Sequence, residues 1–200
     1  MIEVEYKVGG KTIKVEYKEL QRVFNNFRKA VINRARKILK KEDKVASGRL
    51  YKDITLKFIV EKNTIGINPF TKGADYWKYV DQGVQGARDN KKAPESPFKF
   101  GTGTGPRGEL VSAIDRWTIV KPIPEVRDER GRFIPRKELV RRISRSVYLY
   151  GLRPTNFITD PLRQMLEKYE LDIQGAIADD LTPYVEELLN EDPVTITFEA

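Results

Sequence analysis

Between Ser96 and Gly108 the chain reads Ser-Pro-Phe-Lys-Phe-Gly-Thr-Gly-Thr-Gly-Pro-Arg-Gly, three glycines at alternate positions closed by Pro106. Such a run propagates neither a helix nor a well-packed strand, so it predicts a shaped loop. Phe98 and Phe100 lead into it, Trp77 and Trp117 flank it at a distance, and arginines, Arg107 first, follow it. Two readings compete: a long surface loop, or a segment that orders against another subunit or a polyanion. Under the second, Trp77, Phe98, Phe100 and Arg107 are candidate contact residues. Nucleotide-binding readings fail. Pro-Arg-Gly follows the glycines in place of the Lys-Ser/Thr of a phosphate loop, and no strand-to-helix junction surrounds them.

On either side of this loop the patterning is regular. Ile2, Val4, Tyr6 and Val8 alternate with polar residues, and after Gly9-Gly10 the alternation resumes at Ile13, Val15 and Tyr17, predicting a hairpin. From Glu19 to about Lys41 the period becomes helical, with Leu20, Val23, Phe24, Phe27, Ala30, Val31, Ala35, Ile38 and Leu39 on one stripe. Arg22, Arg28, Lys29, Arg36 and Lys37 lie off the stripe and read as a solvated face before a phosphate-binding one. Ile54 to Val60 alternates as a strand, turns at Lys62-Asn63, and returns over Thr64–Ile67 to end at Asn68-Pro69. Ala74 to Val80 predicts a short aromatic helix ended near Gly83. Glu109–Trp117 and Arg136–Tyr150 predict two more, separated by Pro122, Pro124 and a charged loop over Val126–Arg132. Thr159-Asp160-Pro161 opens a helix with Leu162, Met165, Leu166 and Tyr169 inward. A second short helix is expected from Pro183 to Asn190, and a strand at Val194–Phe198 that would join the N-terminal hairpin. The expectation is one α+β domain over 1–200: a mixed or antiparallel sheet packed on two long helices, with a loop-and-helix insertion at 84–155.

The chain has neither cysteine nor histidine. That removes disulfides, thiol nucleophiles, Ser-His-Asp designs and the usual zinc ligands. Its carboxylates fall in no metal or acid/base spacing, so no enzyme, cofactor or metal is expected. No stretch approaches the ~18 apolar residues of a membrane span, and the start lacks the form of a signal peptide. The net charge of +8 is uneven. Residues 1–84 and 85–150 are strongly basic, whereas 151–200 carry 3 basic and 11 acidic side chains. Such a chain attracts nucleic acid, or a copy of itself set basic face to acidic tail. Arg136, Lys137, Arg141, Arg142 and Arg145 form the densest basic surface, with Arg132 and Phe133 just before it. Arg141, Arg142 and Arg145 crowd one helix flank, and the acidic tail, Asp179, Asp180, Glu186 and Glu187, is the partner the chain itself supplies. These residues are expected to meet between subunits. The alternative is a nucleic-acid-binding accessory protein using the Arg136–Arg145 face, although no base-reading motif is present.

Three short boxes in order carry a family likeness: Ser47-Gly-Arg-Leu50 after the long helix, Tyr79-Val-Asp-Gln-Gly83, and Asn156-Phe-Ile-Thr-Asp-Pro161. Together they resemble the tailed-bacteriophage neck family of head–tail joining and tail-completion proteins. Asp81 stands where glutamate is more usual, and about seventy residues separate the last two boxes, more than in compact members. The insert, with its Ser96–Gly101, Gly131-Arg-Phe133 and Arg145–Gly151 segments, is similar to neck proteins of crAss-like phages. The resemblance implies a virion structural protein, a homo-oligomeric ring between head (portal) and tail, with DNA passing through it. It carries no catalytic residues.

Overall fold

Alternation in the first residues folds as β1 (Glu3–Val8) and β2 (Lys11–Glu16), an antiparallel pair that sets Val4 against Val15 and Tyr6 against Ile13. The computed structural model describes residues 2–8, 11–61, 64–71, 76–101, 103, 105–106, 108–121, 123 and 126–190. Both expected turns, Gly9-Gly10 and Lys62-Asn63, lie outside these residues, as do Ala74, Arg107 and the Val194–Phe198 strand. After β2 come α1 (Lys18–Lys41), α2 (Arg49–Asp53), β3 (Ile54–Glu61) and β4 (Thr64–Thr71). Then follow α3 (Trp77–Gln82), α4 (Glu109–Val120), α5 (Arg136–Tyr150) and α6 (Thr159–Asn190). β3 pairs with β4, so the α+β class is realised as two small antiparallel sheets and two long helices, α1 and α6.

The chain divides into two compact units: Met1–Arg34 with Thr55–Phe70 and Asp160–Ala200, and Ala35–Ile54 with Thr71–Thr159. In the first, the helical stripe of α1 meets the apolar faces of both hairpins and α6. Val4, Val15, Tyr17, Leu20 and Phe24 pack with Ala176, flanked by Ile173, Ile177, Leu181 and Tyr184. Phe27, Val31, Leu56 and Met165 continue the core, with Leu162 and Tyr169 beside them. Phe58 joins the two halves: its ring stacks on Phe24 at 4.3 Å and takes Phe27 edge-on at 6.1 Å. Leu166, expected inward, is 38% exposed.

Three element bounds differ from those expected. α2, a single turn after Gly48, replaces a simple lead into β3. Gly48 sits at φ 73° before it, and the Lys52 N–H bonds the Gly48 carbonyl at 3.0 Å. β4 runs through Asn68-Pro69 to Thr71, because a two-stranded sheet leaves each strand an unpaired edge that tolerates proline. α6 is one helix of 32 residues with Pro183 inside it, not two. A proline there removes one backbone donor and crowds the carbonyl four residues back, costing about 3 kcal/mol. Anchors on both sides of Pro183 hold the helix through it. Asp180 binds the start of α1, and the Tyr184 hydroxyl accepts the Glu16 N–H at 3.3 Å.

Tyr17 is 4% exposed and its hydroxyl lies 2.7 Å from that of Tyr6. Burial, then the Tyr6 hydrogen bond, raises its pKa far above the ordinary tyrosine value. In the unfolded chain Tyr17 ionises near pH 10, while the folded chain keeps the proton. Its contribution is therefore full below about pH 10 and lost as pH rises beyond it. Melting curves across pH 9 to 12 should show stability falling above about pH 10, and Tyr17→Phe should flatten that fall. An unchanged slope in the variant would refute the assignment to Tyr17.

Candidate functional site

In the second unit, residues 83–89 and 148–154 run so close together that Gly83, Gly86 and Gly151 leave no room for a side chain. Val84 and Leu152 exchange N–H···O bonds of 3.0 and 2.8 Å. Beyond them the N–H groups of Ala87, Arg88 and Asp89 donate to the Tyr148 and Leu149 carbonyls, closing the open end of α5. A Cβ on Gly83, Gly86 or Gly151 would fall 2.6, 2.2 or 2.1 Å from a backbone oxygen. Beside this junction Asp81, 1% exposed, caps the start of α6. Its carboxylate accepts the Ile158 N–H at 2.8 Å, the Thr159 N–H at 3.3 Å and the Thr159 hydroxyl. Its main-chain carbonyl accepts the Thr155 and Asn156 N–H groups. The Tyr79–Gly83 and Asn156–Pro161 boxes, far apart in sequence, therefore meet through one aspartate.

The glycine loop starts from the same junction. Phe98 packs edge-on against Tyr79 at 4.7 Å, and Phe100 lies tilted against Tyr148 at 5.7 Å. The Tyr148 hydroxyl, on the buried side of α5, lies 2.6 and 2.7 Å from the Gly101 and Gly103 carbonyls and serves both with its one hydrogen. Gln85 exchanges backbone bonds with Phe98 and Phe100 and donates from its side chain to the Ser96 carbonyl. Trp77, half-buried, opens α3.

Three cations of the arginine face, Arg136, Arg141 and Arg142, are paired within their own unit. Glu138 takes Arg142 at 2.9 Å and Arg141 at 2.8 Å, and these contacts hold its carboxyl below the usual carboxylate range, Arg142 first. Arg136 reaches from α5 to α4, binding the Asp115 carboxylate at 2.6 Å and carbonyl at 2.8 Å. Asp128 organises the turn between α4 and α5. It accepts the Arg130 and Arg132 N–H groups and the Arg132 guanidinium, and the Arg132 N–H above all lowers its pKa. Phe133, 54% exposed, lies under the Arg127 guanidinium at 3.8 Å. The partner of Arg136, Arg141 and Arg142 within the chain is thus Glu138 or Asp115 rather than the acidic tail. Glu138, one turn before the pair it serves, was legible as an i, i+3 and i, i+4 partner. Arg145 is exposed and has no ion pair among the described residues. Trp117, Ile119 and Val120 at the end of α4 are also exposed.

The acidic candidates belong to the first unit. Asp179, Glu186 and Glu187 are exposed on α6, whereas Asp180 is buried and spends both oxygens on α1. Opposite the packed side of α6 runs a stripe at alternating four- and three-residue steps: Leu171, Gly175, Ala178, Thr182, Val185 and Leu189. All six are exposed, Leu171 by 79% and Leu189 by 74%. Asp172, Asp179 and Glu186, seven apart, flank it. Its small central residues hide this stripe from a search for bulky apolar periodicity, although the heptad spacing is readable.

Among the described residues no cluster of three Asp or Glu could hold a metal, and no helix is long and apolar enough to cross a membrane. Comparison with protein-family models, curated proteins and solved structures finds no match.

Proposed function

We propose that the chain is a virion structural protein of a tailed-phage neck, assembling into a homo-oligomeric ring that joins the head (portal) to the tail. The observation that carries this reading is the α6 stripe, an exposed apolar heptad seam bordered by acidic residues. Pairing α6 with a second α6 would bring like charges together along the seam. The complementary occupant is another copy's basic surface around α4 and α5, which offers Arg145, Lys137 and Arg116 beside exposed Ile119, Val120 and Phe133. Two different surfaces meeting head to tail generate a ring when the rotation closes. Further support is the joining of the two family-like boxes through Asp81. Exposed charge pairs contribute ~0–1 kcal/mol each, so the apolar seam supplies most of the affinity and the charges set register.

Native mass measurement at moderate salt should give one discrete multiple of 23.1 kDa. Leu171→Lys with Leu189→Lys should return the protein to monomer with an unchanged circular dichroism spectrum. Arg141→Glu with Arg145→Glu should weaken assembly, and Asp179→Lys with Glu186→Lys should partly restore it. A monomer at all concentrations, or an assembly indifferent to the leucine changes, would sink the proposal.

A further inference from the structure

We infer that the end of α1 and the whole of α2 form a second, separate site: a surface for the phosphate backbone of duplex nucleic acid, made by Lys37, Lys40, Lys41, Lys44, Arg49 and Lys52. It stands whether or not the chain forms a ring. Residues 35–54 hold seven Lys or Arg against three Asp or Glu. Elsewhere in the same unit Arg136, Arg132 and Lys121 each meet a carboxylate and Arg141 and Arg142 share Glu138, while Arg116, Lys137 and Arg145 have no ion pair among the described residues. The six named here have none among the described residues, and all six are exposed. Of the three acidic residues in the segment, Glu42, Asp43 and Asp53, Asp43 is taken by Lys121, which leaves two carboxylates against the six cations.

The surface is built rather than incidental. Arg36 clips α2 to α1, donating to the Tyr51 carbonyl at 2.9 Å and the Lys52 carbonyl at 3.3 Å. The Tyr51 ring takes both the Arg36 guanidinium, 5.3 Å from its centre, and the Lys40 ammonium at 5.1 Å. The turn between the helices is fixed as well. Asp43 adopts φ 50°, and the N–H groups of Asp43 and Lys44 bond the Lys40 and Leu39 carbonyls at 3.1 and 2.9 Å. Favourable interaction with the α1 dipole accounts for Lys40 and Lys41 in its last turn. It does not account for Arg49, in the first turn of α2, or for Lys44 between the helices.

The chemistry selects the ligand. Residues 35–54 expose no large hydrophobic side chain, so nothing there inserts into a lipid surface. The one aromatic ring of the segment, Tyr51, is half-buried and engaged by two cations, so it is no open platform for the unstacked bases of a single strand. What remains is sequence-independent neutralisation of backbone phosphates.

The test is fluorescence anisotropy with a labelled 30-base-pair duplex of arbitrary sequence, from 50 to 200 mM salt. The wild-type chain should bind with a steep, linear fall of log affinity against log salt. Lys37→Gln, Lys41→Gln, Lys44→Gln and Lys52→Gln together should weaken binding at least about tenfold and flatten that slope by about three to four. These four side chains have no partner among the described residues, so circular dichroism should be unchanged. Arg141→Gln with Arg145→Gln should leave duplex binding as it was. The proposal is overturned if the quadruple variant binds like the wild type, or if the Arg141/Arg145 variant is the one that loses binding. Equal affinity for a single strand overturns the duplex assignment. So does capture by phosphatidylserine vesicles without duplex binding.

Discussion

Gly151→Ala lowers the melting temperature by about 10 °C or prevents folding altogether. The expectation follows from what surrounds the glycine. At φ 69° it ends α5, and its own N–H bonds the Val147 carbonyl at 2.8 Å. With ψ at −172° this is a conformation open essentially to glycine alone, and an L-residue there costs about 1–3 kcal/mol before any contact is counted. The added Cβ would also sit 2.1 Å from the Val84 carbonyl oxygen and 2.7 Å from the Gly86 nitrogen. Both are backbone atoms and cannot swing aside as a side-chain tip can. Relief requires the 83–86 and 151–154 segments to part, breaking the two Val84–Leu152 bonds at about 0.5–1.5 kcal/mol each. Together this amounts to roughly 2–6 kcal/mol, a large share of an ordinary stability of about 5–15 kcal/mol. Gly175→Ala is the control. Gly175 sits in α6 with nothing within 4 Å of a Cβ, so the same change should stabilise by about 0.5–1 kcal/mol. Calorimetry on dilute protein compares the two, and a Gly151→Ala melt within 2 °C of wild type would refute the close approach.

That glycine also marks where reading the sequence stops. Period alone places α1, α5 and the two hairpins, because one face of each element is apolar and the spacing of that face is local information. The Gly83, Gly86 and Gly151 contacts are not local. Each glycine looks like a turn residue, and the reason it must be glycine is backbone more than sixty residues away. Asp81 is the same kind of residue. Its motif position was visible, but its role as the cap of a helix opening at Thr159 rests on chain reversal that no spacing rule encodes. Pro183 misleads in the opposite direction. Its local meaning is a helix break, and packing of its neighbours overrides it. The basic surfaces show the limit most plainly. Charge density along the sequence favours Arg136–Arg145, yet three of its five cations are held by Glu138 and Asp115, whereas the lysines at the end of α1 have no carboxylate among the described residues.

Asp180→Ala should cost about 3–4 kcal/mol, whereas Asp179→Ala, one residue earlier, should stay within about 0.5 kcal/mol of wild type. α1 begins at Lys18 directly after Tyr17, which has no side chain able to cap it. Asp180 fills that place from the far end of the chain. One carboxylate oxygen accepts the Lys18 and Glu19 N–H groups at 3.1 and 2.9 Å, and the other accepts Leu20 at 2.9 Å. A negative charge at a helix N-terminus also meets the favourable end of the dipole. Loss of an ordinary cap costs about 0.5–2 kcal/mol, and hydrogen bonds to a charged group are stronger still. The Leu20 bond is buried, so alanine leaves its donor without water as well. Asp180→Asn keeps one acceptor oxygen in place and should lose about half as much. A second signature separates this cap from mere core packing. Asp180 holds α6 just before Pro183, so its removal should raise hydrogen exchange over residues 181–190 and over the first turn of α1 together, leaving α5 protected. Equal stability of the Asp179 and Asp180 variants, or faster exchange at one of the two helix ends alone, would show that α1 is capped by something else.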